Sequence, residues 1–219
     1  LAVGDAFNPE IGFVRRDDIR KSSGRLRFSP RLPSVPSIRR LSWQGNVNYI
    51  ENSDGRVETR EENLTFGVDF EKGDRFSLGY RRTYEFMPLP LQISSGVVLP
   101  VGGYSFDAVR LSYTFGAQRR ANFSPSIEHG TFFGGHRTIL RFGRGRVKIT
   151  PRFAVEPSYS VNWIDLVQGT FTTHLVRSRV IYSMTPKMFA SALLQYNSAG
   201  NTLDTNIRFR WEDQPGSEL

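Results

Sequence analysis

Between Phe153 and Ile207 three successive segments alternate apolar and polar residues, and that alternation narrows the possible folds more than any other feature of the chain. Phe153, Val155, Pro157, Tyr159, Val161 and Trp163 are interleaved with Ala154, Glu156, Ser158, Ser160 and Asn162. Val176, Ser178, Val180 and Tyr182 then alternate with Arg177, Arg179 and Ile181. After a turn at Thr185-Pro186-Lys187, the next face is Ala190, Ala192, Leu194 and Tyr196. A period of two belongs to a strand with unlike faces. Runs of about 9–11 such residues, apolar on one side and charged on the other, are the length at which a tilted strand crosses a bilayer.

The same phase recurs along the chain. Gly24 to Phe28 reads as a first strand, with Leu26 and Phe28 outward. Pro30, Pro33 and Pro36 make 29–37 a connection, because proline cannot serve a central ladder. Leu41, Trp43, Gly45, Val47 and Tyr49 form the next apolar face, and Asn52-Ser53-Asp54-Gly55 closes a hairpin. Leu64, Phe66, Val68 and Phe70 return. Phe76, Leu78, Tyr80, Tyr84 and Phe86 follow the turn at 71–74, and Val109, Leu111, Tyr113 and Phe115 follow the apolar, Pro- and Gly-rich connection 87–103. Residues 120–130 have no clear phase, and Gly143-Arg144-Gly145-Arg146 interrupts 137–150 as a bulge. Leu203, Thr205, Ile207, Phe209 and Trp211 carry the last strand.

These segments predict an all-β fold: an antiparallel up-and-down transmembrane β-barrel with about eleven strands. One domain spans 1–219, with an irregular opening segment over 1–23 and no second domain. The connections 71–74, 117–119, 150–152 and 185–187 read as tight, with 29–37 as the exception. Those at 51–56, 87–103, 131–136, 164–170 and 197–201 read as longer. Short turns on one side and longer loops on the other suit an outer-membrane barrel better than a Greek-key sandwich. An odd strand count and a terminal turn at 214–219 predict a barrel that is incomplete without further strands, since an open edge in hydrocarbon leaves backbone groups unpaired.

Composition agrees with this reading. Seventeen Phe, eight Tyr, twenty Gly and twelve Pro suit strands and turns. A mean hydropathy of −0.38 is too polar for a helical membrane protein but not for a barrel, where only alternate residues face lipid. The sequence contains no run of 18 apolar residues and no opening signal peptide, which predicts either a processed chain or a piece of a longer one. Cysteine is absent. The net charge of +8 is spread over the polar phase of the strands rather than clustered, which argues against nucleic acid as a partner.

On that polar phase, Arg81, Arg110, Arg177, Arg179, Arg208 and Arg210 form a charge ladder with Asp69, Glu85, Asp107, Glu156 and Asp204, able to cross-link the interior or line a pore. Trp43, Tyr49, Tyr84, Phe86, Trp163, Tyr196 and Trp211 read as an interfacial aromatic girdle; the three Trp are also shaped to stack on sugars. No catalytic, cofactor or metal site is predicted. Glu61 and Glu62 point to opposite faces of a strand and cannot flank one glycosidic bond, and Asp17-Asp18 reads as solvated charge. His129, His136 and His174 lack metal-ligand spacing.

Several stretches resemble one family. Residues 7–16 (FNPEIGFVRR), Gln168 to Arg177 (QGTFTTHLVR), Ala192 to Asn197 (ALLQYN), and Arg208 to Glu212 with Pro215 to Leu219 (RFRWE and PGSEL) are similar to recurrent segments of the bacterial domain-of-unknown-function 5916 family. Asp213-Gln214 departs from it, where an aromatic or Arg is common. The resemblance implies a membrane barrel at the C-terminal end of a larger protein in the bacterial outer membrane. It also implies a carbohydrate-binding module resembling family 9 outside this chain. It brings no catalytic residues. The function expected is therefore a membrane anchor or pore whose partner is the lipid bilayer. The rivals are a soluble β-sandwich that binds or processes glycans, and a barrel subunit of a larger membrane assembly.

Overall fold

The computed structural model describes residues 2–3, 19–94 and 96–212, apart from the side chains of Ala2, Val3 and Arg144. Asp17-Asp18 and the motif segments at 7–16 and 215–219 lie outside the described residues. The strands are β1 (Ala2–Val3), β2 (Ile19–Phe28), β3 (Ile38–Asn52), β4 (Val57–Phe70), β5 (Arg75–Met87), β6 (Leu91–Ser94), β7 (Val97–Leu99), β8 (Gly102–Thr114), β9 (Ala121–Phe132), β10 (Gly135–Lys148), β11 (Phe153–Leu166), β12 (Gly169–Thr185), β13 (Met188–Asn197) and β14 (Thr202–Trp211). Twelve of them form one antiparallel sheet in chain order, with only the β6–β7 hairpin set aside between β5 and β8. The all-β, consecutive-hairpin expectation is met, but the main sheet has twelve strands rather than about eleven, and 19–23, expected to be irregular, belong to β2, because their largely polar side chains hid a strand paired along β3.

Register follows the hydrophobic pattern. Trp43 lies opposite Phe66, Phe66 opposite Leu78, Leu78 opposite Leu111, and Leu111 opposite Ile127. One residue over, Ser42, Gly67, Ser77, Ser112 and Ser126 make the matching row on the other face. A slip of one residue in any pair would exchange the two rows, so the contrast between faces fixes the pairing. The interruption expected around 143–146 is present: the ladder skips from Gly143 to Arg146 against β9 and from Phe142 to Val147 against β11.

The expected division into tight turns and longer loops does not hold. β9 and β10 are joined by Phe133-Gly134 alone, with φ of 46° and 81°, the paired positive values of a type I′ turn. β11 and β12 are joined by Val167-Gln168 alone. Strands at this end run on past the apolar pattern, because polar residues such as Glu62, Arg82 and Asp107 continue the same face, paired in register. Loss of hydrophobic alternation therefore marked the end of the apolar band, not of the strand. The connection 88–101 is the one long segment at this end, and it carries the β6–β7 hairpin.

The sheet is open. β14 pairs with β13, and its outer edge has no partner among the described residues; β1 covers only Ile19 and Arg20 of β2.

Candidate functional site

The two faces of the sheet have inverted exposure. On the face of Trp43 and Leu111, large apolar side chains stand open: Val109 is 50% exposed, Leu111 44% and Ile207 76%. On the face of Ser42 and Ser126, polar side chains are covered: Asp69 is 4% exposed and Glu128 6%. Among the described residues no helix overlies the main sheet, and the β6–β7 hairpin covers only one end of the polar face, so Asp69 and Glu128 are covered mostly by neighbouring side chains of that face. A water-soluble sheet shows the reverse arrangement, with its apolar face packed and its polar face wet.

Charge on the polar face falls into two regions. From β3 to β10, two carboxylates of the polar face are each held by a pair of arginines. The Asp69 carboxylate accepts from Arg40 Nε at 2.9 Å and lies 3.1 Å from Arg75. Glu128 Oε1 accepts from Arg81 at 2.8 Å and from Arg137 at 3.3 Å. The first arrangement follows directly from register, since Arg40 and Arg75 are the direct cross-strand partners of Asp69; Glu128 is reached diagonally, its own direct partners being Arg110 and Ile139. A third carboxylate, Asp74, closes the β4–β5 turn. It accepts from the Gly116 amide at 2.8 Å, from Tyr113 Oη at 2.9 Å and from Arg119 at 2.7 Å. The backbone hydrogen bond from Gly116, then that from Arg119, holds its pKa below the ordinary 3.8.

From β11 to β14 the pattern changes. Arg177 and Arg179 on β12 and Arg208 on β14 have no hydrogen-bond or ion-pair acceptor among the described residues. Glu156 is the direct cross-strand partner of Arg179, yet the ion pair it makes is a loose one of 3.8 Å with Arg146. Arg146, Arg177 and Arg179 line a hollow of about 400 Å³ together with Asn122, Glu156 and Ser158. A second hollow, of about 360 Å³, is bounded by Arg179, Asn206 and Arg208.

Of the expected ladder, Arg81, Arg110, Arg177, Arg179, Arg208, Arg210, Asp69, Glu85, Glu156 and Asp204 share the polar face by register. Asp107 does not. It shares the parity of Val109 and Leu111 on the unbroken strand β8, so it lies on the apolar face, where it accepts from Tyr80 Oη at 2.6 Å opposite Arg82. The expectation overlooked that one-residue parity.

The expected girdle also divides. Trp163 stands near the end of β11 and Trp211 at the end of β14, as rim residues would, and Tyr196 lies one residue from the end of β13. Trp43 sits in mid-band, its ring 5.9 Å from Phe28 and 5.3 Å from Phe66. Tyr49, Tyr84 and Phe86 lie beyond the row of Glu62, Arg82 and Asp107, separated by charge from the apolar band; the Arg56 guanidinium covers Phe86 at 4.5 Å. At the opposite end an unforeseen aromatic group closes the band: Tyr113 against Phe70 and Phe115, and Phe115 against Phe123 at 4.5 Å.

Sequence reasoning also missed Glu128, the carboxylate that gathers two arginines. Its strand has Pro125 and His129 in apolar-face positions, which hid the alternation; the signal available was Ser124, Ser126 and Glu128 at a spacing of two. His129 and His136 stack at 6.1 Å, and His174 meets Tyr159 Oη at 2.9 Å; among the described residues no three metal-ligating side chains cluster. Glu61 and Glu62 face opposite sides as expected, opposite Thr83 and Arg82 respectively.

The molecule's apolar core is small and lies at the end of the sheet away from the hollow. Val97 and the fully buried Leu99 of β7 pack on Phe106, Phe133 and Leu166. Phe106 is on the polar face, in phase with Ala108 and Arg110, so the hairpin folds back over that face. A Cβ at Gly169 would come within 3.3 Å of Val97, so a side chain there would press on the hairpin.

No protein-family model matches the chain, and neither a curated protein nor a solved structure is significantly similar to it.

Proposed function

We propose that this chain is the membrane-embedded part of a bacterial outer-membrane β-barrel, serving as an anchor or a pore. The observation that carries the reading is the inverted exposure: Leu26, Phe28, Leu64, Leu78, Val109 and Leu111 stand open while Asp69 and Glu128 are covered. In water an apolar band of this extent is an aggregation hazard; against acyl chains it is at its lowest free energy. The band also has borders that suit two interfaces. One is the row of Glu62, Arg82 and Asp107, with Arg60 3.4 Å from Glu62. The other is the group of Phe70, Tyr113, Phe115 and Phe123. The reading requires partners for the free edges of β2 and β14, either from each other or from further strands, because unpaired backbone groups cost several kcal/mol each in hydrocarbon.

The test is extraction of the full-length protein from membranes. Retention in the pellet after alkaline carbonate, with release by detergent, is the expected result; release by carbonate alone overturns the proposal. A sharper arm is Leu111→Arg at mid-band. It should destabilise the protein by about 2–4 kcal/mol when reconstituted in lipid, and leave stability nearly unchanged if that face meets water.

A further inference from the structure

Three hollows on the polar face or its rim along β10 to β14 are basic, and one of them is arranged to take a ligand. Arg177 and Arg179 are two residues apart on β12 and project from the same face, with their Cα atoms about 6.6 Å apart by strand geometry. Arg146 reaches the same hollow from β10, placed there by the bulge that shifts its register. Three arginines thus share about 400 Å³ with one glutamate, a surplus of two positive charges. Neutral hydrogen-bonding groups, Asn122 and Ser158, complete the wall.

Like charges at neighbouring positions of a sheet repel, and elsewhere on this face four arginines are given carboxylates. Arg40, Arg75, Arg81 and Arg137 all point their donors at Asp69 or Glu128. Arg177 and Arg179 donate to nothing among the described residues, although Glu156 is directly opposite Arg179. Their planar forks remain available as paired donors, the geometry that matches an oxyanion bidentately. A monoanion would leave a positive surplus, whereas a dianion cancels it.

We propose that this hollow is a binding site for a phosphate dianion, either free or as a phosphomonoester, held by Arg177 and Arg179 with Arg146 as the third donor. The β6–β7 hairpin covers the other end of the face, so the ligand reaches the hollow from the end where Thr150-Pro151-Arg152 and Pro186-Lys187 turn. A second hollow sharing Arg179 and lined by Arg208 and Asn206 adjoins it, leaving room for the organic part of a phosphomonoester beside the phosphate. The site rests on side chains of the polar face and stands whether or not the opposite face meets lipid, so extraction and binding measurements fail independently.

The experiment is calorimetric titration of the full-length protein, solubilised as it requires, with inorganic phosphate and with glycerol 3-phosphate. Saturable binding is expected, weakening with added salt, and weakened about tenfold or more in Arg177→Gln/Arg179→Gln. Tighter binding of glycerol 3-phosphate than of phosphate identifies an esterified ligand; equal affinity identifies the free ion. Glu156→Gln, which removes the competing carboxylate, is expected to tighten binding, while Arg75→Gln leaves it unchanged. Absence of saturable binding of both probes overturns the proposal, as does unchanged affinity in the double variant. A thermal unfolding curve for each variant separates lost binding from lost structure.

Discussion

The half of the polar face built by β3 to β10 and the half built by β11 to β14 use the same residue, arginine, to opposite ends. In the first, Asp69 and Glu128 are buried and each is gripped by two guanidinium groups, those on Asp69 from the adjacent strands and those on Glu128 from β10 and, across β8, from β5. Cross-strand bonds of that kind tie β3 to β4 and β5, and tie β9 to β5 and β10. In the second, Glu156 is loosely paired with Arg146, and Arg177, Arg179 and Arg208 project without acceptors among the described residues. Nothing in residue type separates the halves; what separates them is whether a carboxylate arrives in register at close range. Where it does, arginine holds strands together. Where it does not, arginine stores positive potential that the sheet itself does not use.

Removing the carboxylate at the centre of the partnered half should produce the largest effect. Glu128→Gln leaves Arg81 and Arg137 facing each other across β8 and β9. Breaking a wholly buried ion pair costs about 3–5 kcal/mol, but these guanidinium groups are partly wet, so the expected loss is about 2 kcal/mol. Urea unfolding of the protein measures it. A loss below about 0.5 kcal/mol would mean that the partnered half is no more cross-linked than the other, and the comparison would collapse.

The sharing of one face by these charges was legible in the sequence, for a physical reason, but the division into halves was not. Period-two alternation fixes which side chains share a face, so ten of the eleven expected ladder residues fall on one side; Asp107 fails only by its parity with Val109. What alternation does not carry is the cross-strand distance. Arg81 and Glu128 are far apart in sequence and meet because β8 lies between their strands in a particular register. The strand ends were equally opaque, since β5 and β8 continue through Arg82 and Asp107 after the apolar pattern stops. The β6–β7 hairpin was hidden because its residues, read as an apolar connection, turn back over the polar face instead of joining the sheet.

The unpartnered half should respond in the opposite direction. In the absence of phosphate, Arg177→Gln/Arg179→Gln should change unfolding free energy by no more than about 0.5 kcal/mol, with the sign toward stabilisation, because it relieves repulsion and breaks no hydrogen bond. The gain should be larger at low ionic strength, where repulsion between exposed charges is less screened. A destabilisation above about 1 kcal/mol would show these arginines to be structural, like their counterparts around Asp69.

The smallest effect belongs to Asp74, which extends the partnered half into a turn and makes its charge visible to pH. Its carboxylate accepts from the Gly116 amide, Tyr113 and Arg119, and the first of these does most to lower its pKa below 3.8. A group whose pKa is depressed by folding contributes stability above its unfolded value and loses that contribution as pH falls through the folded one. Protection of the Gly116 amide from hydrogen exchange, corrected for the intrinsic rate, should therefore hold steady from about pH 7 to about pH 5 and fall away only below the ordinary carboxylate range. Asp74→Asn keeps a carbonyl oxygen for that amide but gives up the ion pair with Arg119, so protection should be lower at neutral pH and the acid step should vanish. Persistence of the step in the variant would assign it to another carboxylate.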